Sequence, residues 1–370
     1  MKTTASGSIS LTLALLLTLI SFTQPFQYIE TGLIYTLHGP SMLIGVTLIA
    51  AVLSAIWAPI GLGFTALFTL LVALAAGQLV HLDALTQPAS GYWLQVCALA
   101  LLAQLTVKRL TECNHPNLPS GAVAALFGAW LLYFWQLLIT VFAVPQVLLP
   151  TPFAIVQAIV DNAGLLAGDF VQTVLKSVVI GYLLGSGLGV LTGILIERFP
   201  FLQRGLLPLA NLTSTIPLVG IAPIAVMWFG FDWPSKAAVI VLVTFFPALV
   251  STLAGLQSTG KLESELMHSY AASPRFTLLT LRLPAAMPFI FNALKVNSTL
   301  ALISAIVAEF FGSPTAGLGF RISAEAARMH MPIVWAAIVV ASVVGSGLYA
   351  LVARLERRVT FWHPSVRSGS

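Results

Sequence analysis

The side chains of this chain that are equipped for chemistry are few and scattered. His268, His330 and His363 stand apart from one another, and no Ser, His and Asp arrangement suggests a nucleophile. Cys97 lies in an apolar run and Cys113 in a polar segment, without metal-ligand spacing, so both are expected as free thiols and no metal site is expected. Gly255-x-x-x-x-Gly260-Lys261 imitates a phosphate loop. Leu262, however, stands where Ser or Thr is required, and an apolar helical run precedes it where a strand belongs. No catalytic residue and no nucleotide site are therefore expected in this chain. What remains are polar groups set within apolar runs. Glu309, flanked by Phe310 and Phe311, sits near one end of such a run, and Lys295 and Asn297 lie deeper in it. Ionisable groups at membrane depth are costly and usually functional. Glu309 is expected either to line a polar path or hold a gate with Arg321 or Arg328, or simply to mark a solvated interface. Asn297 offers hydrogen bonds to a passing solute or to a neighbouring helix.

The elements that must position these groups are membrane spans. Of 370 residues, 58% are hydrophobic and only 8% charged, and the mean hydropathy is +0.97. A soluble domain carries about 25% charged residues. Runs of about 20 apolar residues match a helix crossing a bilayer, and their continuity excludes a β-barrel, whose segments are short and alternating. The expected fold is an all-α polytopic membrane protein of about ten helices: 9–23, 41–58, 61–80, 92–107, 122–144, 172–195, 206–229, 236–256, 285–310 and 332–353. The first follows Met1-Lys2 and has no convincing cleavage site, so it is read as a permanent helix rather than a signal peptide. With the N-terminus inside, the inside positions collect Lys2, Lys108, Arg109, Arg198, Arg204, Lys261, Arg275, Arg282, Arg354, Arg357, Arg358 and Arg367. Lys176, Lys236, Lys295, Arg321 and Arg328 fall outside or within spans. That bias places both termini, and the 261–284 segment, in the cytoplasm. The net charge of +5 is thus a mark of topology and no sign of nucleic-acid binding.

Two parts are expected, an accessory N-terminal block of about four spans (1–107) and a six-span core (122–353), joined by a linker (108–121) and followed by a tail (354–370). Segment 151–170 has apolar residues at helical spacing and is expected on the membrane surface or the outer face. Gly181, Gly185, Gly189 and Gly193 recur at every fourth position, a stack of small residues that admits another helix closely, in the same chain or across a dimer. GSPTAGLGF (312–320) has Pro314 and three glycines, and is expected as a loop at the mouth of a water-filled path.

The polar island KLESELMHSYAASPRFTLLTLRLP (261–284) is the most specific signal. Leu262, Leu266 and Tyr270 recur every four residues with Met267 beside them, so a short helix over 262–272 presents one greasy face, with Pro274 expected to end it. An exposed apolar patch normally has a partner. The run Glu265-Leu266-Met267, Ala271, Leu283-Pro284 resembles the coupling motif of binding-protein-dependent ABC importer permeases, E-A-A, three residues, G, nine residues, I-x-L-P. STIPLVGIAPIAVMWFG (214–230), AEFFGSPTAGLGFRI (308–322) and RLERRVTFWHPS (354–365) are similar to landmarks of the nitrate/sulfonate/taurine branch. Three positions depart: Leu266 and Met267 replace alanines and Ala271 replaces the glycine.

The resemblance covers about two thirds of the chain and implies a type I importer core in its C-terminal six helices. It implies a non-catalytic permease subunit of the bacterial inner membrane. ATP and Mg would be bound by two copies of a partner ATPase, with an extracytoplasmic solute-binding protein delivering the solute. The permease would pair with itself or with a sister subunit. Glu265 would meet a cation of the ATPase, and Leu266, Met267, Tyr270, Ala271, Leu283 and Pro284 would belong to the docking segment. Glu309, Phe310, Asn297 and Arg321 are the candidate path or gate residues. The landmarks lean towards a pyrimidine, thiamine-precursor-like solute over nitrate, sulfonate, taurine or riboflavin. A rival of another class is a stand-alone ion-coupled transporter, for which Pro217, Pro223 and Pro247 are the only midspan breaks of note.

Overall fold

The computed structural model describes residues 5–21, 23–24, 27–29, 34–35, 72–73, 77, 86–88, 90–112, 121–199, 201–205, 208, 217–312 and 315–362. Two compact units, Met1–Ala154 and Ile155–Ser370, divide the chain. The division falls later than the expected 121/122 boundary, because Trp130 and Leu137 bury themselves in one cluster with Ala14, Tyr92, Leu99 and Leu102.

The N-terminal unit contains α1 (Ala5–Ser21), α2 (Ser90–Glu112) and α3 (Ala122–Val141). Gln95 donates to Ser21 across the first two helices at 3.3 Å. A small antiparallel sheet departs from the all-helical expectation. Its strands, β1 (Gln27–Ile29), β2 (Ile34–Tyr35) and β3 (Thr86–Pro88), run in the order β2-β1-β3, too short to alter the fold class. The expected span 41–58, the expected span 61–80 apart from residues 72, 73 and 77, and the tail motif at 363–365 lie outside the described residues.

The boundary falls within α4 (Pro152–Asp161), which leads into a rod of 34 residues in the C-terminal unit, α5 (Ala163–Ile196). Segment 163–170 is thus the first part of a span, whereas the sequence suggested a surface helix. Asn162 makes the break between the two: its side-chain amide donates to the Ala158 carbonyl at 2.9 Å. Over Val171–Val178 the rod widens to π geometry, a form common at functional sites. Next come α6 (Leu218–Phe229), α7 (Trp233–Gln257), α8 (Lys261–Ser269), α9 (Pro274–Gly312, 39 residues), α10 (Leu318–Ala327) and α11 (Met331–Val359).

Among the described residues six helices are long and apolar enough to cross a membrane: Ser90–Lys108 within α2, and α3, α5, α7, α9 and α11. The chain is a multi-pass membrane protein. Pro223 and Pro247 sit inside helices that continue through them, and Pro217, in an extended conformation, is the N-cap of α6.

The core is organised by α7, which packs between α5 and α9. The glycine stack makes the first contact possible. A Cβ added at Gly185 would lie 2.1 Å from the Thr244 hydroxyl, and one at Gly189 would lie 2.3 Å from the Phe245 carbonyl. A Cβ at Gly181 would lie 2.7 Å from Ile240, and one at Gly193 would lie 2.9 Å from Thr252. The neighbour of the stack is therefore α7 of the same chain. At the level of the stack Asn297 of α9, fully buried, donates to the Ser186 hydroxyl at 3.0 Å and to the Thr244 carbonyl at 2.7 Å. One side chain thereby ties three helices together.

Candidate functional site

Two sites sit at opposite ends of α9, a rod of up to roughly 58 Å at 1.5 Å per residue. The first is α8 with the turn that follows it. Gly260 enters α8 in an extended conformation and Ser264 donates back to its carbonyl. The helix has no buried residue. Leu262 is 79% exposed, Leu266 56% and Tyr270 80%, so the greasy face read from the sequence points away from the chain. The carboxylate of Glu265 makes no ion pair among the described residues.

The helix ends at Ser269, short of Pro274. Ala271 turns the chain with φ of 51°, the left-handed region that glycine enters freely and alanine enters at a cost. Pro274 does not terminate this helix. It opens the next one as its first residue, where its missing N–H is no loss, and Ser273 caps that helix by accepting from the Phe276 N–H at 3.3 Å. Leu283 packs with Leu256, Ala286 and Ile290, and Pro284 is half-buried within the continuous α9.

Behind α8 a cleft of about 600 Å³ is bounded by Met267, His268, Pro274 and Leu278 and by an ion pair between Arg282 and Glu197. Gly255, buried against Ala286, belongs to α7, so the phosphate-loop look-alike is a helix–turn–helix.

The second site is a buried polar cluster where α5, α7, α9 and α10 meet. Glu309 is 1% exposed, and is therefore no solvated marker. Thr173 of α5 donates to its carboxylate at 2.8 Å, and the Gly319 N–H donates to it at 2.8 Å. Gly317 donates its N–H to Asp169 at 2.8 Å, and Leu318 donates to the Thr173 hydroxyl at 2.7 Å. The three N–H groups that open α10 are thus satisfied by three side chains, two of them carboxylates at the positive end of the helix dipole. Two glycines make the close approach possible. Gly317 has φ of 132°, and a Cβ there would lie 2.6 Å from the Glu309 carboxyl; one at Gly319 would lie 2.3 Å from the Ile306 carbonyl.

Arg321 pairs with Asp169, not with Glu309. Its Nε donates at 2.7 Å and a second nitrogen at 3.3 Å, the side-on fork that suits a carboxylate. Glu325 approaches Arg321 at 3.7 Å, Arg328 at 3.1 Å and His330 at 2.9 Å. Phe310 is 43% exposed and stands outside this network. Lys236, 1% exposed, donates its ammonium to the carbonyls of Phe231, Asp232 and Gly312, and so closes the end of α9. Asp232 caps α7. A hydrogen bond from Gln172, together with the Trp233 N–H, holds its carboxyl below the ordinary carboxylate range.

Asp169, Thr173, Lys236 and Glu325 carry this cluster, and sequence reasoning did not single them out. The spacing of Asp169 and Thr173, four residues apart on one helix face, was a usable signal, but the expected boundary between the surface segment 151–170 and the span 172–195 separated them. Lys295 likewise pairs with Glu356 of α11 at 2.8 Å. No group of three His, Cys, Asp or Glu side chains suited to a metal occurs among the described residues. The chemistry available is hydrogen bonding, ion pairing and apolar docking.

The family described as binding-protein-dependent transport system inner membrane component matches residues 185–361, which include α8, the left-handed turn and α10. A formylaminopyrimidine transport permease protein, ThiX, of Halalkalibacterium halodurans is 33% identical over 237 residues, 64% of this chain and 94% of the relative. A protein of Haemophilus influenzae described as a probable ABC transporter permease is 32% identical over 228 residues, 62% of this chain and 92% of the relative. The taurine transport system permease protein TauC of Escherichia coli is 26% identical over 245 residues, 65% and 89% of the two chains. Each leaves roughly a third of this chain unmatched. With this kinship the stand-alone ion-coupled transporter falls away: the chain belongs to the inner-membrane permease family of binding-protein-dependent ABC importers.

Proposed function

We propose that this chain forms one half of a solute path and couples it to two copies of an ATPase subunit through α8. The other half is a second copy or a sister permease. An extracytoplasmic binding protein supplies the solute, and the ATPase binds the ATP and Mg. Both termini and α8 face the cytoplasm, in line with the distribution of Lys and Arg. The observation that carries this reading is the unburied face of α8, Leu262, Leu266 and Tyr270, held out by a left-handed turn at Ala271. Leu266, Met267, Ala271, Leu283 and Pro284 shape the docking segment, and Glu265 faces a cation of the ATPase. At the other end Glu309 and Arg321 hold the outer gate, with Phe310 beside it, and Asn297 fixes the helices that frame the path. The N-terminal block is an accessory module that docks a partner or steadies the pair.

The solute is a small heterocycle of the pyrimidine, thiamine-precursor type. The kinship with ThiX, whose name specifies formylaminopyrimidine, and the few charged groups in the spans support this choice. Taurine or another sulfonate, nitrate and riboflavin are the alternatives.

Co-purification tests the coupling. The wild-type chain is expected to bring an ATPase subunit out of its native membrane, and Leu266→Asp is expected to lose it; an ATPase retained by the variant, or absent from both, defeats the docking role of α8. Uptake of labelled formylaminopyrimidine by cells carrying the whole importer tests the solute. Competition by taurine or riboflavin and none by pyrimidines moves the choice to those solutes.

A further inference from the structure

A groove of about 590 Å³ runs between α5, α9 and α11. Its walls are Leu183, Val190 and Leu191 of α5, Phe291 of α9, and Leu351 and Leu355 of α11. Every polar side chain within reach is already engaged. Tyr182 donates to the Leu294 carbonyl at 3.1 Å, Ser298 donates to the Lys295 carbonyl at 2.7 Å, and Ser186 accepts from Asn297. The groove therefore asks for hydrocarbon and offers nothing that would orient a polar solute.

One end of the groove carries a concentrated positive charge. Arg354 and Arg358 follow Leu351 and Leu355 at steps of three and four residues, which continues the stripe of α11 along the groove. Both are exposed, and neither they nor Arg357 has an ion-pair partner among the described residues. The acidic residue of that turn, Glu356, is taken by Lys295. On the facing helix, Glu197 is taken by Arg282, and Arg198 beside it is exposed. The carboxylates that would neutralise this end are thus committed inside the protein, and the arginines stay free. Phe361 and Trp362, exposed beyond the last turn, are suited to the headgroup level of a bilayer.

We propose that this groove binds one anionic phospholipid, with an acyl chain along Leu183, Leu191, Leu351 and Leu355 and the phosphate at Arg354 and Arg358. A greasy furrow that ends in unneutralised arginines at an interface matches both halves of such a molecule. A second permease copy matches the furrow alone and would have to bury the arginines against its own carboxylates.

Native mass spectrometry of the full chain in detergent, titrated with phosphatidylglycerol and separately with phosphatidylcholine of the same acyl chains, tests the site. One phosphatidylglycerol is expected to bind per chain, in clear preference to phosphatidylcholine. Arg354→Gln combined with Arg358→Gln, both on exposed positions, is expected to weaken it roughly tenfold or more. Leu183→Trp, which fills the groove and leaves the arginines intact, is expected to lower the same occupancy. Equal binding of the two lipids, or unchanged phosphatidylglycerol binding in both variants, overturns the proposal. A disulfide between Leu183→Cys chains, which shows the groove covered by a second copy, overturns it as well.

Discussion

The two ends of α9 solve opposite problems. At one end, α8 leaves Leu262, Leu266 and Tyr270 without cover, and its side chains make few bonds. At the other, Asp169, Thr173, Glu309 and Arg321 are buried and paired with one another or with the N–H groups that open α10. An uncovered apolar face gains by meeting another molecule. A buried polar network gains nothing from one, since its members are satisfied and leaving any of them alone is costly. The first end is the one we propose for a partner, and the second, proposed as the outer gate, holds its own helices in register.

The largest effect is expected where the self-satisfied end loses a charge. Arg321→Ala leaves Asp169 buried without its cation, held only by the Gly317 N–H, which costs about 3–5 kcal/mol and is read as a lower thermal midpoint in detergent. If the midpoint does not move, the cluster is hydrated and the contrast between the two ends fails. Gly319→Val comes next. Its side chain has to enter the 2.3 Å space before the Ile306 carbonyl, an overpacking that costs about 1–3 kcal/mol. Transport is expected to fall while ATPase binding at α8 survives, which separates the two sites.

How far the two ends were legible differs for the same physical reason. The α8 segment is local: its period, its Pro274 and its departure from glycine at 271 all lie within one stretch, so the greasy face could be read from residue types and spacing alone. The position of the break could not. Pro274 opens a helix rather than closing one, because Ser273 offers a cap and Ala271 accepts a left-handed turn. The buried cluster is assembled from residues far apart in the chain. Glu309 was recognisable as a charge in an apolar run, but its partner Thr173 is 136 residues away and Asp169 is 152 residues from Arg321. Nothing local distinguishes Arg321 paired with Asp169 from Arg321 paired with Glu309. The glycine stack shows the intermediate case: its face was evident, and only the three-dimensional packing identified α7 as the neighbour.

A smaller effect sharpens the comparison at the turn. Ala271→Gly removes the strain of a left-handed alanine and is expected to stabilise the turn by about 1 kcal/mol. A rise in thermal midpoint of a few degrees at most, with ATPase co-purification retained, is the expected result. A fall in the midpoint means that the greater freedom glycine gives the unfolded chain outweighs the strain removed.

The smallest effect on stability is expected at the residues proposed to dock the ATPase. Leu262→Ser with Tyr270→Ser alters two side chains that are 79% and 80% exposed. Substitutions at such sites stay within about 0.5 kcal/mol of neutral, so the midpoint of the isolated chain is expected to stand still. Binding of the ATPase is expected to drop at least about tenfold, because an exposed Tyr flanked by leucines is the kind of anchor on which interface energy concentrates. A variant that melts early shows that the greasy face of α8 packs against its own chain. A variant that melts normally and still retains the ATPase shows that the docking contacts lie elsewhere, with the cleft lined by Met267 and Leu278 as the next surface to alter. Only a stable chain that has lost its ATPase leaves the two ends of α9 as different in purpose as they are in burial.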